Sequence, residues 1–174
     1  MASTSFDVFV QREQEAARRA DAASIDWQAE KNEWLFQLDS LYARVSGFLK
    51  PYIDAGQISM ADSDIELTED HLGVYPVKLR IITIGTKSIT LEPLGTIQTG
   101  SRGRVDVVGP LTRAQLSLLD AATETMLIPS TNGRNRTGMK RLSDGRWVWK
   151  IVTRDVLELN RENFLNLLME VANE

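Results

Sequence analysis

Two aspartates, Asp106 and Asp120, stand in neighbouring apolar segments and have the side-chain type that metal-assisted chemistry needs. Carboxylates can hold a divalent cation that activates water for hydrolysis. The competing interpretation is structural, because Asp106 can form an ion pair with Arg102 or Arg104 across a hairpin. The sequence alone leaves both interpretations of Asp106 open.

The segment from Gly103 to Gly109, GRVDVVG, resembles the strand that delivers the metal-binding aspartate in nucleases of the PD-(D/E)xK superfamily. The resemblance also extends to the order of a helix followed by a meander. It implies a nuclease-like site with Asp106 on one strand and Asp120 on the next. In that superfamily the next strand carries Glu or Gln, one residue and then Lys, whereas here it ends LLDAA without a lysine. We therefore expect no enzymatic activity, and a degenerate nuclease-like scaffold that associates with nucleic acid is the alternative function.

A second acidic group alternates along the chain at Asp62, Asp64 and Glu66, close to the single histidine, His71. Alternate residues of a strand share one face, so these carboxylates raise the question of a metal site. The segment lacks the glycine that an EF-hand loop requires and has no second histidine. The chain also has no cysteine, no nucleophile elbow and no phosphate-binding loop. We expect neither a metal nor another cofactor.

The charge is unevenly distributed, with an excess of Asp and Glu in residues 1–70 and an excess of Lys and Arg in residues 100–154. Four of the basic residues, Arg134, Arg136, Lys140 and Arg141, fall in a stretch rich in turn signals. We expect residues 130–145 to form a mobile loop that contacts a protein partner or, in the alternative, phosphate groups. No apolar run is long enough to span a bilayer, so we expect a cytoplasmic protein without membrane contact.

The elements that must position these groups form an α+β fold built on an antiparallel meander. β-branched residues and Gly-containing turns predict about five strands. The predicted strands are Val77–Ile84, Lys87–Thr99, Arg104–Val108, Arg113–Asp120 and Arg146–Thr153. Residues 57–76 are expected to be a connector containing one helical turn, capped by Thr68.

A long helix, Ile25 to about Tyr52, is predicted to pack on this sheet. Large apolar residues recur along it every seven positions, in a stripe broader than a coiled-coil seam. The rows are Trp27, Trp34, Leu41 and Phe48, and Leu38, Val45 and Tyr52. Ser24 is the expected N-cap, with Pro51 and Gly56 ending the helix. A closing helix from Arg161 to about Ala172 should be capped by Asn160.

Residues 1–23 are predicted to be a helical extension of a single domain that spans residues 24–174. Phe6, Phe9 and Val10 have helical spacing and form an apolar end. The function that these features favour is that of a non-catalytic interaction protein. It would bind a protein partner, or a second copy of itself, through Phe6, Phe9 and Val10, through the acidic connector or through the basic stretch.

Overall fold

Helices flank a run of strands in the computed structural model, which describes residues 5–22, 26–96, 101–121, 124–128, 136–140 and 146–173. The helices are α1 (Ser5–Ala22), α2 (Trp27–Asp54) and α3 (Arg161–Asn173). The strands are β1 (Ile58–Glu69), β2 (Gly73–Ile84), β3 (Lys87–Gly95), β4 (Arg104–Val108), β5 (Arg113–Asp120), β6 (Glu124–Ile128), β7 (Arg136–Lys140), β8 (Trp147–Val152) and β9 (Val156–Glu158).

Seven of these strands form one antiparallel sheet in the order β1-β2-β3-β4-β5-β8-β9. The hairpin β6–β7 is inserted between β5 and β8 and forms a separate two-stranded sheet. The predicted α+β class, with helices packed on a meander, is confirmed. The strand count was too low, because the main sheet has seven strands rather than five.

The strands that the sequence did not predict lie at the two edges of the sheet. Residues 57–76, which were expected to be a connector, contain β1 and the start of β2. Residues 61–64 in the middle of β1 are exposed, so the apolar alternation that marks a half-buried strand is confined to its two ends, at Ile58 and Met60 and at Ile65 and Leu67. At the other edge, β9 has only three residues and is too short to give a pattern.

Helix α2 supplies the broad apolar stripe that the sequence predicted. Its buried residues are Trp34, Leu38, Leu41, Tyr42, Val45 and Leu49. The N-cap is Asp26 rather than Ser24, since the Asp26 carboxylate accepts a hydrogen bond from Ala29 N at 3.1 Å; Ser24 itself lies outside the described residues. Pro51 does not end the helix, because a proline this close to the C-terminus removes one hydrogen bond only.

The outer half of the β1–β2 hairpin extends beyond β3, which pairs only with residues 80–84 of β2. In the outer half of β2 the buried side chains are at odd positions, Tyr75 and Val77, whereas in the inner half Ile82 is buried. Because side chains alternate along a strand, the two halves of β2 bury opposite faces. His71 at the hairpin turn stacks on Trp27 of α2 with 4.3 Å between ring centroids. The hairpin therefore closes over the N-terminal end of α2.

Helix α3 covers the same face of the sheet as α2. Asn160 is its N-cap, as predicted, and its side chain accepts a hydrogen bond from Asn163 N at 2.8 Å. The residues that α3 buries are Phe164, Leu167, Leu168, Val171 and Ala172. The core lies between this layer of helices and the sheet.

Candidate binding groove

A cavity of about 680 Å³ opens where the C-terminal end of α2, the helix α3 and one end of the sheet meet. We call it the α2–α3 groove. The sheet contributes Ile58 of β1, Ile84 of β2 and Lys87 of β3. Ile84 and Lys87 flank the two-residue turn between β2 and β3, where Gly85 has φ of 58°.

The floor of the α2–α3 groove is apolar and belongs to the core, since Leu49, Ile58 and Leu168 are buried. Its upper wall is formed by Leu165 and Met169, one helical turn apart on α3. The Met169 side chain is 56% exposed. An apolar wall of this kind above a buried floor suits a partner that brings apolar side chains of its own.

Polar side chains surround this apolar interior. Arg161 at the start of α3 donates a hydrogen bond to the hydroxyl of Tyr52 at 3.4 Å and lies 5.8 Å from the centre of the Tyr52 ring. Lys87 and Glu162 also line the groove, so both signs of charge are present at the rim. The groove therefore has an apolar centre and a rim with charges of both signs.

The sequence did not predict this groove, because three elements that are distant in the chain build it. A signal was present in α3, where Leu165 and Met169 form a second apolar row beside the buried row of Phe164 and Leu168. A helix with more apolar positions than one face of the core can cover has apolar surface left for another contact.

Asp106, the proposed metal ligand, is only 2% exposed and lies in an ion-pair cluster. Arg104 donates to its two oxygens at 2.7 and 3.2 Å, and Arg113 approaches within 3.5 Å. Arg102, the other expected partner, instead forms an ion pair with Glu30 of α2 and lies over the Trp147 ring.

Asp106 and Asp120 are not brought together. Asp106 is opposite Gln115 of β5, whereas Asp120 lies five residues further along β5 and opposite Trp147 of β8. Because side chains alternate along a strand, an odd separation places the two carboxylates on opposite faces of the sheet. Asp120 is 1% exposed.

The acidic residues of β1 pair with basic residues of β2. Arg80 forms two hydrogen bonds with the Asp62 carboxylate, at 2.8 and 2.9 Å, and these hold the pKa of Asp62 below its usual value. Lys78 forms an ion pair with Asp64 and donates a hydrogen bond to its carboxylate, and this hydrogen bond raises the pKa of Lys78. Within the described residues, no group of three or more His, Cys, Asp or Glu side chains is arranged to hold a metal ion.

The residues proposed for partner binding divide into two groups. Phe6 and Phe9 of α1 are 69% and 48% exposed, and Val10 is half-buried. Arg136 and Lys140 lie in β7, and their side chains are not described. Arg134 and Arg141 lie outside the described residues.

The expectation of a loop over residues 130–145 is wrong for residues 136–140, which form β7 and pair with β6. The residues typical of turns on both sides of this segment favoured a loop prediction. The strand that pairs with it, β6, comes earlier in the chain. The rest of that stretch lies outside the described residues, as do residues 97–99 at the end of the predicted second strand.

Comparisons of the chain with protein-family models, with curated proteins and with solved structures find no match. None of the helices in the described part of the chain combines the length and apolarity needed to cross a bilayer.

Proposed function

We propose that this protein is a non-catalytic interaction protein that receives an apolar helix of a protein partner in the α2–α3 groove. The observation that carries the proposal is the groove itself, an apolar cavity of about 680 Å³ with Met169 exposed on its wall. A helix laid into a hydrophobic groove is a recurrent mode of peptide recognition, in which side chains one turn apart act as anchors.

The geometry of α3 supports this mode of binding. Phe164 and Leu168 hold the helix against the sheet, while Leu165 and Met169 face the groove from the same helix. The binding wall is thus fixed by core packing on its other side, so a ligand would meet a preformed surface. Preformed surfaces bind more tightly because less conformational freedom is lost.

Site-specific photo-crosslinking tests the proposal. A benzophenone amino acid is placed at Met169 and, as a matched control, at Phe36, which is 63% exposed on α2 and does not line the groove. We expect irradiation in the native cells to give a protein adduct from position 169 that position 36 does not give. The absence of any such adduct, or the same adducts from both positions, would overturn the proposal.

A second candidate is association with nucleic acid, favoured by a cleft of about 420 Å³ lined by three cations, Arg44, Arg146 and Lys150, with Glu158 as the acidic residue. Phosphate contacts release counterions, so binding to generic DNA or RNA should weaken steeply with salt. The replacement Arg44→Gln should reduce that salt dependence. Binding that is absent at low salt, or that is insensitive to salt, would exclude this candidate.

A further inference from the structure

The apolar end of α1 is formed by Phe6, Phe9 and Val10, of which Val10 is half-buried and the two phenylalanines are uncovered in this structure. Phe6 and Phe9 are one turn apart, with ring centroids separated by 6.3 Å, and both are well exposed. Side chains with i, i+3 and i+4 spacing lie on one face of a helix. This face has the anchor spacing of a helix that lies in a hydrophobic groove.

The α1 end and the α2–α3 groove are complementary in charge as well as in apolarity. Asp7, beside Phe6, is opposite in charge to the rim cations Lys87 and Arg161, and Arg12, one turn after Phe9, is opposite in charge to Glu162. Docking would exchange the present contacts of Asp7 and the exposed Arg12–Glu13 ion pair for pairs across the interface.

The two surfaces lie toward opposite ends of α2. The helix α1 precedes Trp27, whereas the groove is lined by Leu49 and Tyr52, roughly 33–38 Å further along α2 at about 1.5 Å per residue. To reach the groove of its own chain, α1 would have to fold back along the outer side of α2. That side carries Gln28, Asn32 and Asp39 and also the exposed Phe36, so its polarity alone does not exclude such a contact. The length of α1 does, because Phe6 to Ala22 spans roughly 24 Å at about 1.5 Å per residue, and an α1 folded back along α2 would end short of the groove. A second copy can present the same anchors without this restriction.

We infer that two copies of this chain exchange α1, each placing Phe6 and Phe9 in the α2–α3 groove of the other. This inference rests on the proposed function and names the occupant of the groove. Reciprocal exchange gives a closed two-fold dimer in which both apolar surfaces are covered. A one-sided exchange would leave one α1 end and one groove open and would propagate into chains of molecules.

The experiment compares the full-length wild type with three variants by light scattering over a range of concentrations. The arm variant is Phe6→Ser with Phe9→Ser, the groove variant is Met169→Asp, and the control is Phe36→Ser. We expect dimers for the wild type and the control. The arm and groove variants should dissociate, with dimer dissociation constants raised on the order of tenfold or more, as expected when interface anchors are lost. Circular dichroism confirms that each variant is folded.

Mixing the arm variant with the groove variant separates exchange between copies from folding back within one chain. The arm variant keeps an intact groove and the groove variant keeps an intact α1, so a mixture should form heterodimers that neither variant forms alone. A peptide of residues 5–22 should bind the arm variant, whereas the same peptide with serine at Phe6 and Phe9 should not. A monomeric wild type, or a mixture that stays monomeric, would overturn the inference.

Crosslinking from Met169 distinguishes the failure of this inference from the failure of the proposed function. Adducts with the α1 segment of a second copy are the expected result. Adducts with a different protein only would overturn the exchange and leave the groove as a protein-binding site. No adduct at all would overturn both.

Discussion

The indole ring of Trp34 lies directly against the backbone of Gly103, so closely that a Cβ at this position would be 2.3 Å from Trp34 Cζ3. At the other end of β4, a Cβ on Gly109 would be 1.8 Å from the carbonyl oxygen of Val171 in α3. Both glycines that bracket Asp106 therefore have a packing role. They allow α2 and α3 to approach the same face of the sheet at the two ends of β4.

We predict that Gly103→Ala destabilises the protein by about 1–3 kcal/mol, the usual cost of overpacking a core. The added methyl group would meet the ring of Trp34, which is large and buried, so one of the two must shift. The matched control is Gly47→Ala in α2, where nothing lies within 4 Å. That change should stabilise by ~0.5–1 kcal/mol, because alanine is the better helix former. Urea unfolding of both variants checks the pair, and equal effects of the two substitutions would contradict it.

The ion pair between Arg80 and Asp62 predicts a specific acid sensitivity. Because the folded state lowers the pKa of Asp62, this carboxylate stabilises the fold above its unfolded pKa of about 3.9, and the contribution is lost as the pH falls through the folded pKa. At neutral pH, Asp62→Asn should cost up to about 1 kcal/mol, as for a partly exposed pair.

The control for Asp62 is Asp64→Asn, which removes the more exposed pair with Lys78. It should change the unfolding free energy by less than Asp62→Asn does. The difference between wild type and Asp62→Asn should shrink as the pH falls below about 4. A difference that stays constant from neutral to acid pH would show that ionisation of Asp62 contributes nothing to stability.

Two tyrosines predict a loss of stability at alkaline pH. Burial raises the pKa of Tyr42 and of Tyr75 far above the usual value, and the neighbouring Glu69 carboxylate adds to the rise at Tyr75. Raised folded pKa values mean that stability is fully present below about pH 10 and declines above it, as the unfolded state ionises first.

The measurement for the tyrosines is phenolate absorbance together with urea unfolding between neutral and alkaline pH. Tyr42→Phe and Tyr75→Phe should each remove part of the absorbance that appears only on unfolding, and each should flatten the alkaline decline. Tyr42 donates a hydrogen bond to Lys78 O at 2.5 Å, so Tyr42→Phe should also lower stability at neutral pH by ~1–3 kcal/mol. Phenolate absorbance that rises fully before unfolding would contradict the prediction.

Elements whose apolar residues are buried at a regular spacing could be predicted from the sequence, and elements without such a spacing could not. The stripe of α2 and the strand β4 were predicted well because burial selects their apolar residues at a fixed period. The edge strand β1 was not, since the charged residues in its middle pair with β2 and interrupt the apolar alternation of its two ends. The packing role of Gly103 and Gly109 could not be predicted either, because the atoms that lie against them belong to helices distant in the chain.

The same limit applies to the candidate site. Phe6 and Phe9 were found because one local helix face contains them both. The α2–α3 groove was missed because Leu49, Ile84 and Met169 come together only through the packing of α3 beside α2. Local periodicity predicts which residues are apolar on one element, and it contains no information on where two elements leave a gap.

We expect Asp106 to act as a structural carboxylate, without any hydrolytic role. It lies in a hydrogen-bonded ion pair with Arg104 and is nearly inaccessible, while Asp120 faces the other side of the sheet. A metal ligand and an ion-pair partner respond differently to a cation. If Asp106 held Mg²⁺ or Mn²⁺, the ion would bind the folded state and raise the melting temperature of the wild type.

The expected result is a wild-type melting temperature that Mg²⁺ and Mn²⁺ leave unchanged, with no cleavage of single- or double-stranded DNA or RNA.

Asp106→Asn should destabilise by about 1–3 kcal/mol, because the amide cannot accept both hydrogen bonds from Arg104. Arg104→Gln is the matched test of the same pair from the other side. It should reproduce most of that cost, and the double variant should cost less than the sum of the two single changes, as for residues in direct contact. Metal-dependent cleavage by the wild type that disappears in Asp106→Asn would instead make Asp106 a catalytic metal ligand.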